Sequence, residues 1–332
     1  MSNLCMSKWV VMVGSVVMGL LVGGCDGGKT AGGDGAGKKP KVVATTSQVG
    51  DLVRQIAGDE VELVVIMGPG VDPHSYKATT ADLGHLATAQ MVFYNGLHLE
   101  GTMAETLQNA LGSKAVAVTQ EIPLNVLIEA EKGTMVLDPH VWFEPRLWAD
   151  AARTVGLAIG YNMPGKTLMF KERAARTAER ILAMEDWAKA RIATIPEGQR
   201  VLITSHDAYN YFGRAFGIEV KGLQGISTET EAGLGAMTSA VDFIVDRKIP
   251  AIFVESSVSP RTIERVQADV RARGHEVVIG GELYSDAMGT PGSHPGYAVE
   301  TWEGMFRFNV DTIVKALGGQ PSSGGEAAEP AK

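Results

Sequence analysis

One stretch limits the fold more than any other. From Thr167 to Thr194 the chain contains neither proline nor glycine, and alanine, arginine, glutamate, lysine and leucine dominate. Ala174, Ala178, Ile181, Ala188 and Ile192 recur on one helical face, with Pro164 before the stretch and Pro196 closing it. A helix of about 28 residues extends roughly 42 Å at 1.5 Å per residue. That is long enough to run the length of a bilobed molecule as its only crossing, or to lie along the surface of one lobe. A single helical crossing permits less hinge motion than two or three flexible strands.

The pattern on either side is different. Lys41 to Thr46, Val61 to Met67, Met91 to Asn95 and Ala115 to Val118 are short apolar runs, interleaved with helix-like stretches such as Gly50 to Ala57 and Ala81 to Thr88. After residue 196 the alternation returns. Val201 to Thr204, Ile218 to Lys221, Ala251 to Glu255 and Glu276 to Ile279 read as strands, with helices near Ala232 to Arg247 and Arg261 to Arg273. Apolar strands alternating with helices indicate a parallel sheet covered on both faces. The expected fold is therefore α/β: two lobes, 40–165 and 195–318, each a mainly parallel sheet flanked by helices, joined by one long helix over 166–194.

The ends lie outside that fold. Lys8 and the apolar run from Trp9 to Val22, followed by Gly23-Gly24-Cys25, read as an export signal over 1–24, too short and glycine-rich for a good membrane span. An apolar run, two small residues and a cysteine resemble a bacterial lipobox, in which Cys25 is lipidated. The alternative is an ordinary secretory signal with an incidental cysteine. Asp26 resembles the signal that retains a lipoprotein at the inner membrane of a diderm host. Residues 25–39 read as a flexible tether and 319–332 as a disordered tail.

The only two cysteines are Cys5 and Cys25, so a processed chain has no free thiol. Any transition-metal site must then be built from imidazole and carboxylate. A formal net charge of −8 argues against nucleic acid as a partner and is compatible with attracting cations.

The tripeptide Asp-Pro-His occurs twice, at 72–74 and 138–140, in a chain with seven histidines. Proline stiffens its own backbone and that of the residue before it, so each histidine is presented from a rigid turn with a carboxylate two residues upstream. His206-Asp207-Ala208 and Ser285-Asp286-Ala287 echo the arrangement. His74, His206 and Asp286 each follow a strand, where ligands in open α/β sheets gather. His140 lies in a longer irregular segment, and two candidates come from each lobe, so all four can converge on the cleft.

Three imidazoles and one carboxylate suit zinc, and manganese or iron with lower preference. Four protein ligands leave little room for water or substrate, whereas a catalytic zinc keeps a position open; the count favours carrying metal over using it. Against this stands the general rule that a lone histidine is more often a hydrogen-bonding residue than a ligand. Asp72, Asp138 and Asp207 either orient imidazoles or cap turns and helices. Glu255, ending an apolar strand beside Ser256 and Ser257, either faces the cleft or, the stronger reading, serves as a helix cap or salt-bridge partner, and His98 reads as structural. His85, His275 and His294 have no supporting context.

Taken in order, Val71 to Tyr76, Tyr94 to Glu100, Asp138 to Trp142, Thr204 to Ala208, Lys221 to Ser227 and Gly280 to Ala287 resemble the cluster A-I solute-binding lipoproteins of zinc and manganese ABC transporters, most closely the treponemal branch. The resemblance covers nearly the whole mature chain. It implies two lobes joined by one long helix, with metal held at their interface by His74, His140, His206 and Asp286. The third position is glutamate in the manganese-specific streptococcal type, and here it is His206. Many zinc-specific members carry a histidine-rich acidic loop between the first two ligands; this chain has only His85 and His98 there. That departure favours a binder of zinc, manganese and iron over a strict zinc protein.

The expected function is a monomeric, lipid-anchored receptor outside the cytoplasmic membrane, delivering a divalent metal to an ABC permease and its ATPase. The rivals are a zinc hydrolase and an adhesin whose lobes a metal merely braces.

Overall fold

The computed structural model describes residues 38–130 and 133–321. The signal segment with Cys25, nearly all of the tether and most of the tail therefore lie outside the described residues.

Strands β1 (Lys41–Ala44), β2 (Glu62–Val65), β3 (Met91–Tyr94) and β4 (Ala115–Ala117) form a sheet in the order β2-β1-β3-β4, with every pairing parallel. Parallel strands need covering on both faces, and Val42, Val43 and Ala44 are accordingly buried without alternation. Helix α1 (Ser47–Ala57) covers one face; the Thr46 hydroxyl caps it by accepting from the Val49 amide. Helix α2 (Thr80–Thr88) opens on a capping box in which Thr79 and Asp82 satisfy each other's backbone amides.

Two helices then form a hairpin, α3 (Pro145–Asn162) and α4 (Thr167–Ile192). All five residues of the expected α4 face are buried, and 26 residues correspond to roughly 39 Å of helix. The α4 helix packs against α1 and α3 on one side and against later helices on the other. Sequence reading passed over α3, although Leu147, Trp148, Ala151, Ala152, Val155 and Ile159 mark its buried face at helical spacing. The hairpin is close-packed at Gly156, where a Cβ would stand 2.4 Å from that of Ala174 and 3.1 Å from the Phe170 carbonyl oxygen.

The second half contains β5 (Val201–His206), α5 (Asn210–Phe216), β6 (Glu219–Gln224), α6 (Leu234–Arg247), β7 (Ala251–Glu255), α7 (Arg261–Ala272), β8 (Val278–Leu283) and α8 (Trp302–Ala316). Its strands pair in parallel as β5-β6 and β7-β8, and β5 contacts β7. Strand β8 runs on through Gly280-Gly281 to Leu283, past the Ile279 at which the sequence pattern ends it. A Cβ at Gly280 would stand 2.6 Å from Ala316 of α8 and 2.9 Å from the Phe253 ring, so the glycine permits close packing rather than ending the strand.

The core does not stop at the boundary between halves. One apolar cluster joins Val42 and Phe93 of the first sheet to Phe170 and Ile181 of α4, and continues to Phe253, Phe306 and Val310. Buried hydrogen bonds cross the same boundary. Trp142 Nε1 and Gln48 Nε2 both donate to the Ser285 carbonyl, at 3.0 and 3.2 Å, and Trp302 Nε1 donates to the Trp142 carbonyl at 2.9 Å. The Trp302 amide donates to Asp51 Oδ2 and the Met288 amide to Ser47 Oγ, each at 2.9 Å. From Lys39 onward the described chain packs as one unit.

Candidate metal centre

His206 is the last residue of β5, and Asp286 lies three residues beyond β8. His74 sits in the connection from β2 to α2, and His140 immediately precedes a short helical turn over Val141–Phe143. All four side chains are buried, His140 and His206 completely.

The structure brings the four together. One potential ligand atom from each lies within 4.8 Å of every other. His74 Nε2 is 3.3 Å from His140 Nε2; Asp286 places Oδ1 3.3 Å from His140 Nε2 and Oδ2 3.3 Å from His206 Nε2. A tetrahedral ion with bonds of about 2.0–2.1 Å has ligand–ligand edges of about 3.3–3.4 Å, so these three contacts match such edges, while the four groups as a set lie within the wider 4.8 Å. Among the described residues, His206 Nε2 and Asp286 Oδ1 make no well-directed hydrogen bond, although each lies 3.3 Å from a neighbour in the cluster. Leaving buried polar atoms unpaired costs about 1–3 kcal/mol each, and a cation would satisfy both.

The two fully buried histidines are held from behind. Asp138 Oδ1 accepts from the His140 amide at 2.9 Å and lies 2.8 Å from its Nδ1. Asp138 is itself fixed, its Oδ2 accepting from Asn210 Nδ2 at 3.1 Å and its carbonyl from the Tyr211 hydroxyl at 2.9 Å. Glu255 does the same for His206, with Oε1 accepting from the backbone amide at 2.9 Å and Oε2 2.7 Å from Nδ1. A carboxylate at Nδ1 keeps the proton there and leaves the Nε2 lone pair facing inward. Ser257 Oγ donates to Asp286 Oδ2 at 3.3 Å.

Electrostatics divide the cluster. Burial alone would lower both histidine pKa values. For His140 the charges of Asp138 and Asp286 outweigh it and raise the pKa; for His206 those of Asp286 and Glu255 raise it well above the ordinary value. Asp286 is pushed up by burial but held well below the carboxylate range by His206 and His140. His74 is lowered to about 4, chiefly by burial.

Glu255 is an ion-pair partner, as one branch of the sequence reading had it, and the group it pairs with is the His206 ring of this centre. Its place at the end of β7, beside the end of β5, is the same carboxyl-terminal position that singled out His206, and that rule could have found it. Asp72 meets His74 through its backbone amide and not its ring, and Asp207 Oδ1 accepts from the Gly222 amide at 2.8 Å. The other histidines stand elsewhere. His275 contacts the Ile249 carbonyl, His294 packs against Tyr284 and Phe308, and His85 lies on α2. His98 lines a cavity of about 710 Å³ together with His74.

Residues 42–316 match the profile of the family described as ZnuA, zinc-uptake complex component A, periplasmic. The chain belongs to this ZnuA/TroA family. It is 44% identical over 295 residues to the manganese-binding lipoprotein MntA of Bacillus subtilis, covering 89% of this chain and 94% of that one. It is also 44% identical over 292 residues to the zinc-binding protein TroA of Treponema pallidum, covering 88% and 92%. The solved structure of that periplasmic zinc-binding TroA superposes with a TM-score of 0.80 at 43% identity, over 85% of this chain and 99% of the other. Membership makes this a metal-binding substrate-binding protein of the ABC-transporter class, with the α/β architecture of its relatives.

Proposed function

We propose that the protein captures one divalent transition-metal ion with His74, His140, His206 and Asp286 and delivers it to an ABC permease powered by an ATPase. The observation that carries this reading is the buried set of three imidazoles and one carboxylate, with one potential ligand atom from each within 4.8 Å of every other. Zinc suits that donor set best, with manganese and iron accepted. Relatives of equal identity are named for manganese and for zinc, in keeping with a site that takes both.

Catalysis is disfavoured by position. A hydrolase needs a carboxylate free to activate water, yet Glu255 is committed to His206 and Asp207 to Gly222. In this reading a lipid on Cys25 anchors the carrier outside the cytoplasmic membrane, and the carrier acts as a monomer. No helix among the described residues is long and apolar enough to cross a membrane.

The test is metal content after purification without added metal, followed by zinc or manganese challenge. Wild type should hold about one equivalent and His206→Ala much less. A wild-type protein that stays empty under both metals sinks the proposal.

A further inference from the structure

The two Asp-Pro-His tripeptides are identical in sequence and different in use. In the second, Asp138 grips both the backbone and the ring of His140. In the first, Asp72 Oδ1 accepts from the His74 amide at 2.9 Å, and no carboxylate pairs with the His74 ring among the described residues. Asp72 Oδ2 is spent elsewhere: it accepts from Ser75 Oγ at 2.8 Å and from the Thr228 hydroxyl at 2.6 Å. Thr228 lies between β6 and α6, in the opposite half of the molecule.

The hydrogen bonds between the halves at Trp142, Gln48 and Trp302 are buried, whereas the bond of Thr228 to Asp72, like those of Met288 to Ser47 and Asn210 to Asp138, is only part-buried. It stands beside the cavity of about 710 Å³. His74 is the one member of the four that lines that cavity, with Ser227 and Glu229, the neighbours of Thr228, on its wall. The member of the four on the cavity wall is thus the one whose ring lacks a carboxylate, and among the described residues the Thr228 hydroxyl ties its loop to the far side.

We propose that Thr228 is a positioning residue of the metal site: by bonding Asp72 across the cleft it holds the His74 loop in place, and metal leaves past His74 when that bond breaks. The inference rests on the reading that the four residues bind metal. A carboxylate-bound hydroxyl is a charge-assisted contact, strong enough at a half-exposed position to govern a local opening without governing the fold.

Thr228→Val removes the hydroxyl and keeps the shape, while Thr228→Ser keeps the hydroxyl. Two readouts are taken on the full protein. One is amide hydrogen exchange of residues 71–77 in the metal-free form; the other is the rate of zinc loss to excess chelator by stopped flow. The valine variant should exchange faster over 71–77 and lose zinc about five- to tenfold faster, with the serine variant close to wild type in both. An unchanged zinc-loss rate in the valine variant overturns the proposal, whatever the exchange result. So does a serine variant as leaky as the valine one. If wild type retains no zinc, the functional reading falls and the release claim with it, while the exchange comparison still decides whether the hydroxyl holds the loop.

Discussion

Glu255→Gln isolates what the carboxylate behind His206 contributes. The glutamate meets the His206 amide at 2.9 Å and Nδ1 at 2.7 Å with its two oxygens. Glutamine has one oxygen for these two contacts. If that oxygen stays on the backbone amide, an NH2 group faces Nδ1, the ring proton moves to Nε2, and Nε2 is the atom that must face the ion. If the amide turns over, the buried backbone N–H loses its acceptor, at about 1–3 kcal/mol. Either route predicts a loss of about 10- to 100-fold in metal affinity, the range for partners behind a ligand, or about 1.4–2.7 kcal/mol. The loss should also depend on pH. Glu255 helps to raise the His206 pKa, so in wild type protons compete with metal to a higher pH than at an ordinary imidazole. Removing that charge weakens the competition, and the penalty should narrow between pH 8 and pH 6. Competition titrations with a chromophoric chelator measure the Kd at both pH values, with circular dichroism to verify folding. A folded variant whose Kd at pH 8 stays within about threefold of wild type would refute the argument that Glu255 sets the ring's proton.

Metal stabilisation should grow with pH. In the metal-free protein His140 and His206 have raised pKa values, so their contribution to stability is full below the ordinary value near 6.5 and is lost as pH rises through the folded values. His74, lowered to about 4, works in the other direction, costing stability as pH falls from 6.5 towards 4. Metal binds the deprotonated ligands, so the gain in Tm on adding saturating zinc should widen from pH 6 to pH 8 in thermal melts; a gain that is constant or shrinks contradicts this assignment. Gly156→Ala tests the α3–α4 hairpin, since its new methyl would stand 2.4 Å from the Ala174 Cβ. Overpacking of this kind costs about 1–3 kcal/mol, and calorimetry should record a Tm lower by several degrees at unchanged metal stoichiometry.

Much of this architecture could be read from the chain. The buried face of α4 was legible because alanine and isoleucine recur at helical spacing without interruption, and the β1 and β5 runs because a doubly covered strand needs no alternation. Helix α3 escaped because it follows the irregular His140 segment without a conspicuous capping residue; Glu144 makes no side-chain cap. The length of β8 was underestimated because glycine usually signals a turn, and only the proximity of α8 reveals the packing reason. At the candidate site, His74, His140, His206 and Asp286 were marked by local context. The different duties of Asp72 and Asp138 were not, because identical tripeptides acquire them from distant partners: Thr228 in one case, Asn210 and Tyr211 in the other. Glu255 likewise acquires its meaning from a strand neighbour 49 residues away.

The continuous core has a consequence for transport. Because Trp142, Trp302 and the surrounding aromatics already join the two halves, the arriving ion has no interface to assemble. Its binding free energy then goes into coordination, which makes for tight capture and slow spontaneous loss. If release runs past His74 as proposed, the transporter has only to act on that loop, and the joined core stays intact while the ion departs.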